Sequence, residues 1–330
     1  MWKLGILEPA QYLARPQGWG GMRWVSYQLL RTGTPASEQE IARVEAIMRH
    51  LQLSSGVYRT TFPGRFGDLD PWISSWLVRH FPANAELLIE DRAASDCLLS
   101  AEWARQLSAV FPQSHVTASD LTLHLIEYQT ARDSFIVESG GNGLQYIRPP
   151  FVINLQRKEP FILPVNAALR FWALRRWKQL RRSVDWMDPW LTSAALTDKP
   201  DEGKGFRLKK ISVLHPSARQ LASAGAVRFT IRRHSVFDPS SPLCHVLRTM
   251  NIFNRSYFSA GQLRHGVQAV ERSLLLGGIW IVGRTVKDLP PVHEVTIYRK
   301  TVAGFERLDR WGAGSEMEPL VETVGRGTPP

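Results

Sequence analysis

Two short apolar runs in this sequence end in small and acidic residues that could hold a small ligand. Residues 86–90 (ELLIE) are followed by 92–97 (RAASDC), and residues 115–119 (HVTAS) are followed by Asp120. Each pattern is typical of a buried strand that ends in a loop. In a parallel sheet, a turn of small residues lets the backbone approach a ligand, and an acid after the next strand accepts hydrogen bonds from ribose hydroxyls. The position of Asp120 suits a contact with the sugar of a nucleoside, and it suits an N-cap of the next helix equally well.

Thiol and metal chemistry have less support in the sequence. Cys97 lies near the start of a predicted helix, where a thiolate can be stabilised. No histidine partner is evident, so a buried packing thiol is the favoured interpretation. The histidines show no H-x-x-x-H or H-E-x-x-H spacing, and Cys97 and Cys244 are far apart. We therefore expect no metal site and no disulfide, as is usual for a protein of the reducing cytoplasm.

A cationic helix is predicted over residues 167–182. Its cations are Arg170, Arg175, Arg176, Lys178, Arg181 and Arg182, and they are interleaved with Phe171, Trp172, Leu174, Trp177 and Leu180. Aromatic rings beside cations suit an anionic membrane surface. They also suit nucleic acid, through phosphate contacts and base stacking. An amphipathic helix that packs on a sheet and solvates its cationic side is the third interpretation.

The positive charge of the chain is concentrated in one segment. The 41 Lys and Arg against 30 Asp and Glu give a net charge of +11. Residues 1–150 hold 13 basic against 15 acidic residues, whereas residues 151–235 hold 17 against 6. A localised basic field attracts anionic partners such as nucleic acid, anionic lipid or acidic protein surfaces.

Length and composition are those of a globular chain. At 330 residues and 44% hydrophobic content, the chain can form one large or two modest domains, which excludes a disordered tail protein. The most apolar stretch, residues 273–282, is shorter than the roughly 20 residues of a spanning helix. The first residues lack a signal-peptide pattern. We expect neither export nor a transmembrane anchor, and a location in the cytoplasm or at the membrane periphery.

Helical and extended patterns alternate along most of the chain. Residues 37–40 (SEQE) form a capping box, and Asp70 is predicted to cap a second helix at Pro71. The remaining predicted elements are helices at 98–107 and 259–275, strands at 115–119, 227–233, 244–251 and 278–284, and hairpins around 139–143 and at 294–300 with 305–310.

This order of elements predicts an α/β fold: a doubly wound, mostly parallel seven-stranded sheet with an antiparallel C-terminal hairpin. The predicted organisation is a helical N-terminal extension (1–82), a first half of the sheet domain (83–124), a basic insertion (125–210), a second half (211–315) and a tail (316–330).

Several motifs resemble the chemotaxis-receptor glutamate methyltransferases, a branch of the class I S-adenosylmethionine-dependent methyltransferases. They are TTFPGRF near residue 60, the turn AASDC before a helix, a strand ending in SD, and CHVLRTMNIFNRSYFS followed by a helix and LLLGGIWIVGRT. That family has T-x-F-F-R, a turn A-C-S-T-G-E-E, and a strand ending in R-N before a helix and L-x-P-G-G-x-L. The resemblance spans about residues 60–285, and the central segment aligns poorly.

The resemblance implies a site for S-adenosylmethionine. Arg65 would meet the methionine carboxylate, the turn from Asp91 through Ala93, Ala94 and Ser95 would line the methionine portion, Asp120 would contact the ribose, Ser235 and Val236 the adenine, and Asn251 the region of the sulfonium. The alternatives are a surface loop arginine for Arg65 and a turn or N-cap residue for Asn251.

Three departures from the family pattern bear on this site. Cys97 replaces the family's turn glycine, and its side chain would crowd a ligand and disfavour positive φ. Leu98 and Leu99 replace the family's acidic pair, so specificity for receptor glutamate is not implied. The turn has no G-x-G. Either the cofactor is held differently or the site has decayed.

The sequence thus predicts methyl transfer from S-adenosylmethionine to an unidentified acceptor, with the insertion capping the cofactor cleft. Such a reaction needs mainly alignment and exclusion of water, so no catalytic base is named. Tyr257 is a candidate for the acceptor side, with a core tyrosine as the alternative. Two other functions stay open: a non-catalytic protein that binds an anionic partner through its basic insertion, and an RNA methyltransferase.

Overall fold

The computed structural model describes residues 26–30, 38–48, 51–54, 59, 61–148, 151–156, 164–193, 196, 198–199 and 205–324. They form two compact units, each built from two segments of the chain. The parallel-sheet unit comprises Phe62–Leu121 and the described residues from Ser217 onward. The antiparallel-sheet unit comprises the described residues up to Thr61 together with Thr122–Pro216. Residues 62–82, which are predicted as part of the helical N-terminal extension, lie in the parallel-sheet unit.

The strands and helices are numbered here in chain order. The strands are β1 (Leu88–Arg92), β2 (His115–Asp120), β3 (His124–Gln129), β4 (Ser134–Val137), β5 (Gly143–Arg148), β6 (Phe151–Asn154), β7 (Arg207–Ser212), β8 (Phe229–Arg233), β9 (Cys244–Met250), β10 (Leu274–Asp288), β11 (Pro291–Thr301) and β12 (Gly304–Trp311). The helices are α1 (Glu38–Met48), α2 (Leu69–His80), α3 (Leu98–Val110), α4 (Pro164–Leu180), α5 (Pro189–Thr192), α6 (Pro216–Ala224), α7 (Ala260–Ser273) and α8 (Glu318–Val324).

The parallel-sheet unit contains seven strands in the order β12-β11-β10-β9-β1-β2-β8. The five strands from β10 to β8 run parallel, and β11 and β12 continue antiparallel from β10. The predicted fold class, with its antiparallel C-terminal hairpin, is confirmed. The hairpin is longer than predicted, because β10 itself turns into β11 and makes a three-stranded meander.

Helices cover the parallel sheet on both faces. Ser259 caps α7 in a capping box with Gln262, and α7 buries Val267 and Val270 against Trp280 of β10. On the opposite face lies α3, which begins at Leu98 and buries Trp103, Ala104 and Leu107. Alternation of strand and helix therefore produces the two-sided cover that parallel strands require.

The antiparallel-sheet unit contains five strands in the order β6-β5-β4-β3-β7. The hairpin predicted around residues 139–143 is confirmed as β4 and β5. On one face the sheet packs against α1, which buries Val44, Ile47 and Met48. The capping box predicted for α1 includes Ser37, which lies outside the described residues.

The cationic helix covers the other face of this five-stranded sheet. It forms α4 and a following 3-10 turn, Arg181–Ser183. Trp177 is buried against Tyr128 and Phe135, and its indole Nε1 donates a hydrogen bond to the Gly141 carbonyl at 3.1 Å. None of the helices among the described residues is both long enough and apolar enough to cross a bilayer.

Two predicted elements differ in ways that affect the candidate site. β1 begins and ends two residues later than predicted, so Arg92 lies within the strand and the turn begins at Ala93. The predicted N-cap at Asp70 is wrong. The N-cap position is Asp68, and Asp70 lies inside the first turn of α2, where its buried carboxylate accepts a hydrogen bond from Arg248 at 2.6 Å.

Candidate nucleoside-binding site

The carboxyl ends of β1, β2 and β8 meet at one edge of the parallel sheet. The Ala94 amide donates to the Ser119 carbonyl at 3.0 Å, and the His234 amide donates to the Asp120 carbonyl at 3.1 Å. The Ser95 amide donates to Asp120 Oδ2 at 2.9 Å. These bonds bring the turn after β1, the end of β2 and the loop after β8 together, which is where open α/β sheets bind their ligands.

The turn after β1 has an unusual backbone. Ala93, Ser95 and Cys97 have φ values of 55°, 56° and 63°. These alternate positions adopt the left-handed conformation that glycine favours, although none of them is glycine. Strained backbone of this kind is found where a loop must approach a ligand, and it persists because the surrounding structure fixes it. The turn thus has the backbone of a G-x-G-x-G segment built from other residues.

Cys97 does not obstruct this turn. We expected its side chain to crowd a ligand and to disfavour positive φ, but the residue adopts φ 63° and is fully buried, with 0% exposed. Asp96 stabilises the turn, because its Oδ1 accepts a hydrogen bond from the Leu98 amide at 3.1 Å at the start of α3. The surface of the turn is therefore formed by Ala93, Ala94 and Ser95, which are half-buried.

Asp120 lies beside this turn and is half-buried at the end of β2. Ser235 and Val236, the predicted adenine contacts, follow β8 and are also half-buried. Ser235 Oγ accepts a hydrogen bond from the Phe237 amide at 3.2 Å, and Val236 packs partly on the core between β9 and α7. This set of side chains suits a nucleoside cofactor. The small residues of the turn leave room for it, the carboxylate can bind its sugar, and the apolar side chain can contact its base.

Asp91, another predicted cofactor contact, belongs to a buried ion-pair cluster. Arg248 Nε donates to Asp91 Oδ1 at 2.9 Å and Arg248 Nη2 donates to Oδ2 at 2.5 Å, and Ser100 also donates to Oδ2. The guanidinium of Arg248 lies over the Trp103 ring at 4.0 Å. Both oxygens of Asp91 are thus engaged within the protein, where they hold the end of β1, and a contact of Asp91 with a ligand stays a prediction.

Arg248 also contacts Asp70, and this second carboxylate has an altered pKa. Burial raises the pKa of Asp70 to about 7, and the nearby Asp91 carboxylate acts in the same direction, against the attraction of Arg248. Two buried carboxylates share one guanidinium, so the cluster carries one negative charge more than it can pair. Holding a proton on Asp70 removes that excess.

A second buried cluster lies on the opposite face of β1. Arg92 Nη2 donates to the hydroxyls of Ser240 and Ser273, at 2.6 Å each, and Arg232 forms an ion pair with Glu90 at 3.0 Å. Burial opposes ionisation of Glu90, but the two guanidiniums and the Ser240 hydroxyl outweigh it and lower the pKa of Glu90 to about 2. Glu90 is therefore a permanent anion that anchors the loop after β8 to β1.

Cys244 contacts this second cluster, with its thiol 3.5 Å from Glu90 Oε2. Burial and the Glu90 carboxylate raise the pKa of Cys244 to about 12. The thiol is therefore neutral at physiological pH and unsuited to nucleophilic attack.

Arg65 and Asn251 are engaged within the protein. Arg65 Nη2 pairs with Asp288 Oδ1 at 2.8 Å. Asn251 has φ 61°, and its Oδ1 accepts a hydrogen bond from the Thr285 amide at 2.6 Å, which ties the end of β9 to β10. Contacts of these two residues with a methionine carboxylate or a sulfonium stay predictions.

Tyr257 differs from the favoured expectation. Its side chain is 44% exposed, so the interpretation as a core tyrosine is wrong.

The buried partners of β1 were missed by sequence reasoning. Arg248 is the central residue of one cluster and Glu90 of the other. The sequence predicts Glu90 only as the last residue of a strand, and Arg248 only as part of the motif CHVLRTMN. The run Glu90-Asp91-Arg92 directly after apolar residues is the signal that indicates them. Three charged residues at the end of a buried strand need buried partners of opposite charge.

A separate cleft of about 500 Å³ in the parallel-sheet unit is lined by Arg307, Arg310 and Glu318, among others. Both arginines pair with Glu318. The cleft contains none of the predicted site residues, and its internal ion pairs leave less charge for a ligand.

Comparisons with known proteins give only distant likenesses. No protein-family model and no curated protein matches the chain. Among solved structures, a sugar N-methyltransferase from Streptoalloteichus sp. is 10% identical, with 89% of this chain and 86% of that chain covered and a TM-score of 0.34. An amino pentose methyltransferase from Micromonospora echinaspora, solved with bound SAM, is 9% identical, with coverages of 90% and 91% and a TM-score of 0.33.

A SAM-dependent methyltransferase from Geobacter sulfurreducens, solved with S-adenosyl-L-homocysteine, is 11% identical, with a TM-score of 0.29. The match covers 74% of this chain but only 54% of that protein, so the chain spans about half the length of this neighbour. Because all of these scores lie below 0.5, they establish neither a family nor an activity, and nothing in them singles out the receptor-modifying branch.

Proposed function

We propose that the chain transfers a methyl group from S-adenosylmethionine to an acceptor. One observation carries the proposal: the turn after β1 holds Ala93, Ser95 and Cys97 at positive φ directly beside the carboxylate of Asp120. Strain at three alternate residues is costly, at about 1–2 kcal/mol each for a non-glycine residue. A turn that serves only to connect β1 with α3 has no need of it.

The residues at the sheet edge have distinct roles in this proposal. The turn residues Ala93, Ala94 and Ser95 leave room for the methionine portion of the cofactor. Asp120 accepts hydrogen bonds from the ribose hydroxyls, and Ser235 and Val236 contact the adenine. S-adenosylmethionine supplies a methyl group on a positively charged sulfur, which is activated without help from the protein.

The work of the protein is then to hold donor and acceptor in line and to keep water out. The clusters of Asp91 and Glu90 serve this purpose, because they fix the last residues of β1 from both faces of the sheet. Proton removal from the acceptor is assigned to no residue, and the acceptor itself is unidentified.

Calorimetric titration with S-adenosylhomocysteine tests the proposal. The wild type should bind, and Asp120→Ala should weaken binding by at least about tenfold, since a hydrogen bond to a charged group contributes roughly 1.5–3 kcal/mol. Asp198→Ala, which removes an exposed carboxylate in the other unit, is the matched control and should bind like the wild type.

Absence of binding by a folded wild-type protein, even at millimolar ligand, would overturn the proposal in favour of a non-catalytic role. Equal affinity of the wild type and Asp120→Ala for S-adenosylhomocysteine would show that Asp120 does not bind the ribose, and would contradict the assigned site.

A further inference from the structure

The outward side of α4 and its following 3-10 turn forms a cationic ridge in the antiparallel-sheet unit. We define the α4 ridge by Phe171, Arg175, Lys178 and Arg182, which are spaced four, three and four residues apart and so lie along one side of the helix. All four are exposed, and Phe171 is 67% exposed. The opposite side of the helix is buried, as Ala173 and Trp177 are 0% and 4% exposed.

No acidic side chain among the described residues neutralises the charge of the ridge. Residues 164–184 contain no Asp or Glu. In the part of the chain that the structure describes, no ion pair involves the cations of this stretch, which are Arg175, Arg176, Lys178, Arg181 and Arg182. Arg170 differs, because its guanidinium donates to the Leu155 carbonyl at 2.9 and 3.1 Å. Five cations within eight residues that form no ion pair with the described residues create a local positive field that attracts a polyanion.

Two aromatic rings lie at the N-terminal end of the ridge. Phe171 is in line with the cations, and Trp172 flanks them with 44% of its side chain exposed. Tyr146 contacts the Trp172 ring in a T-shaped arrangement, with a centroid distance of 5.3 Å. The indole is thus supported from the sheet while part of it stays open to solvent.

The arrangement favours nucleic acid over a bilayer. A helix that enters a membrane interface needs its apolar face outward, but the apolar face of α4 is packed on the sheet. The centre of the outward side is cationic, with apolar residues at its end and flanks. Proteins that bind single-stranded nucleic acid stack its bases on aromatic rings and place a row of cations along its phosphates. From Phe171 to Arg182 the ridge is about 16 Å long.

We propose that the α4 ridge binds single-stranded nucleic acid, with phosphates along Arg175, Lys178 and Arg182 and bases stacked on Phe171 and Trp172. This inference is independent of the proposed nucleoside site, which lies in the other unit. It predicts two separable contributions to affinity: a salt-dependent one from the cations and a salt-independent one from the rings.

Fluorescence anisotropy with a labelled oligodeoxythymidylate of about 12 nucleotides measures both contributions. Between about 50 and 200 mM KCl, the logarithm of the association constant should fall with the logarithm of salt concentration, with a slope of about −2 from the three ridge cations and about −3.5 if Arg176 and Arg181 also meet phosphates. In the triple variant Arg175→Gln, Lys178→Gln and Arg182→Gln, the slope should become shallower by about 2, and affinity near 100 mM salt should fall about a hundredfold.

The ring variant Phe171→Ala with Trp172→Ala should weaken binding about tenfold or more with an unchanged slope. The matched control is the triple variant Arg79→Gln, Arg255→Gln and Lys287→Gln, which removes three exposed cations of the parallel-sheet unit. It lowers the net charge equally and should bind like the wild type.

Equal loss of affinity in both triple variants would overturn the proposal, because it would show a general charge effect. So would co-sedimentation with vesicles of phosphatidylcholine and phosphatidylserine in the absence of oligonucleotide binding. If the ridge triple variant fails to fold, the single change Arg175→Gln decides the matter, with an expected slope change of about 0.7.

Discussion

At the scale of single residues, β1 is organised around charge. Glu90, Asp91 and Arg92 are each less than 5% exposed in the centre of a seven-stranded sheet. Such groups are tolerated only when they are paired and hydrogen-bonded. Because side chains alternate between the faces of a strand, Asp91 pairs with Arg248 on one face while Glu90 and Arg92 form their network on the other. Removing a single partner would leave a buried charge uncompensated.

The proton that Asp70 holds in the cluster with Asp91 and Arg248 predicts a pH dependence of stability. The pKa of Asp70 is about 7 in the folded protein and about 3.9 in the unfolded chain. The folded state therefore binds this proton more tightly, and the contribution of Asp70 to stability is complete below about pH 4 and is lost as pH rises through 7. Asp70→Asn should become more stable relative to the wild type between pH 5 and 8, by an amount on the order of a few kcal/mol.

Urea unfolding of both proteins across this pH range measures that difference. Asp238→Asn, an exposed carboxylate in the same unit, is the control and should follow the wild-type profile. Parallel profiles for Asp70→Asn and the wild type would show that Asp70 is ionised throughout and that the proton is not held there.

The turn after β1 makes a second prediction for single residues. Ala93 has φ 55°, a conformation that glycine adopts freely and β-branched residues avoid. Ala93→Gly should keep the fold and the affinity for S-adenosylhomocysteine. Ala93→Val should lower stability by about 1–2 kcal/mol and abolish binding, since it adds both strain and bulk at the ligand side. Calorimetry and thermal unfolding compare the two variants, and a valine variant that binds as tightly as the wild type would contradict the assigned role of the turn.

At the scale of elements, local patterns locate the helices and strands well where burial follows hydropathy. α7 begins beside the predicted Ser259 and ends near its predicted boundary, because a capping box and helical periodicity coincide there. The end of β1 was misplaced because its last residues are charged and yet buried. The pairing of Asp91 with Arg248 joins residues that are far apart in the sequence, and no local pattern reveals such a register. The positive φ values at Ala93, Ser95 and Cys97 are likewise set by tertiary structure, since nothing in these residue types favours them.

Helix α4 shows how one element can serve both a core and a surface. Trp177→Ala should destabilise the antiparallel-sheet unit by about 3–5 kcal/mol, because the indole is buried among aromatic rings and its Nε1 hydrogen bond is lost. Phe171→Ala, on the exposed side of the same helix, should change stability by no more than about 0.5 kcal/mol. Urea unfolding followed by circular dichroism compares them. Similar losses in both variants would mean that the exposed side of α4 is also packed.

At the scale of the whole molecule, the chain leaves one unit and returns to it. The parallel-sheet unit is interrupted after Leu121 and resumes at Ser217, and the order of elements in the sequence predicts a basic insertion at 125–210. The five-stranded sheet inside the interruption was not foreseen beyond its β4–β5 hairpin. In its short strands, apolar and polar residues do not alternate regularly enough to predict a strand. In addition, β7 pairs with β3, which lies far before it in the sequence. Helical periodicity predicts a helix within residues 62–82 but does not identify the surface on which it packs, and these residues lie in the parallel-sheet unit.

This division of the parallel-sheet unit affects how the protein can fold. β2 pairs with β8, so Val116 meets Phe229 across the whole of Thr122–Pro216. During synthesis β1 and β2 leave the ribosome long before β8 and β9 exist, so the pair that they form with each other has two unpaired outer edges. Early collapse of the intervening unit would bring the two halves closer and lower the entropic barrier to joining them. We therefore expect slow refolding. When collapse of the intervening unit is impaired, we also expect aggregation through the unpaired edges of β1 and β2.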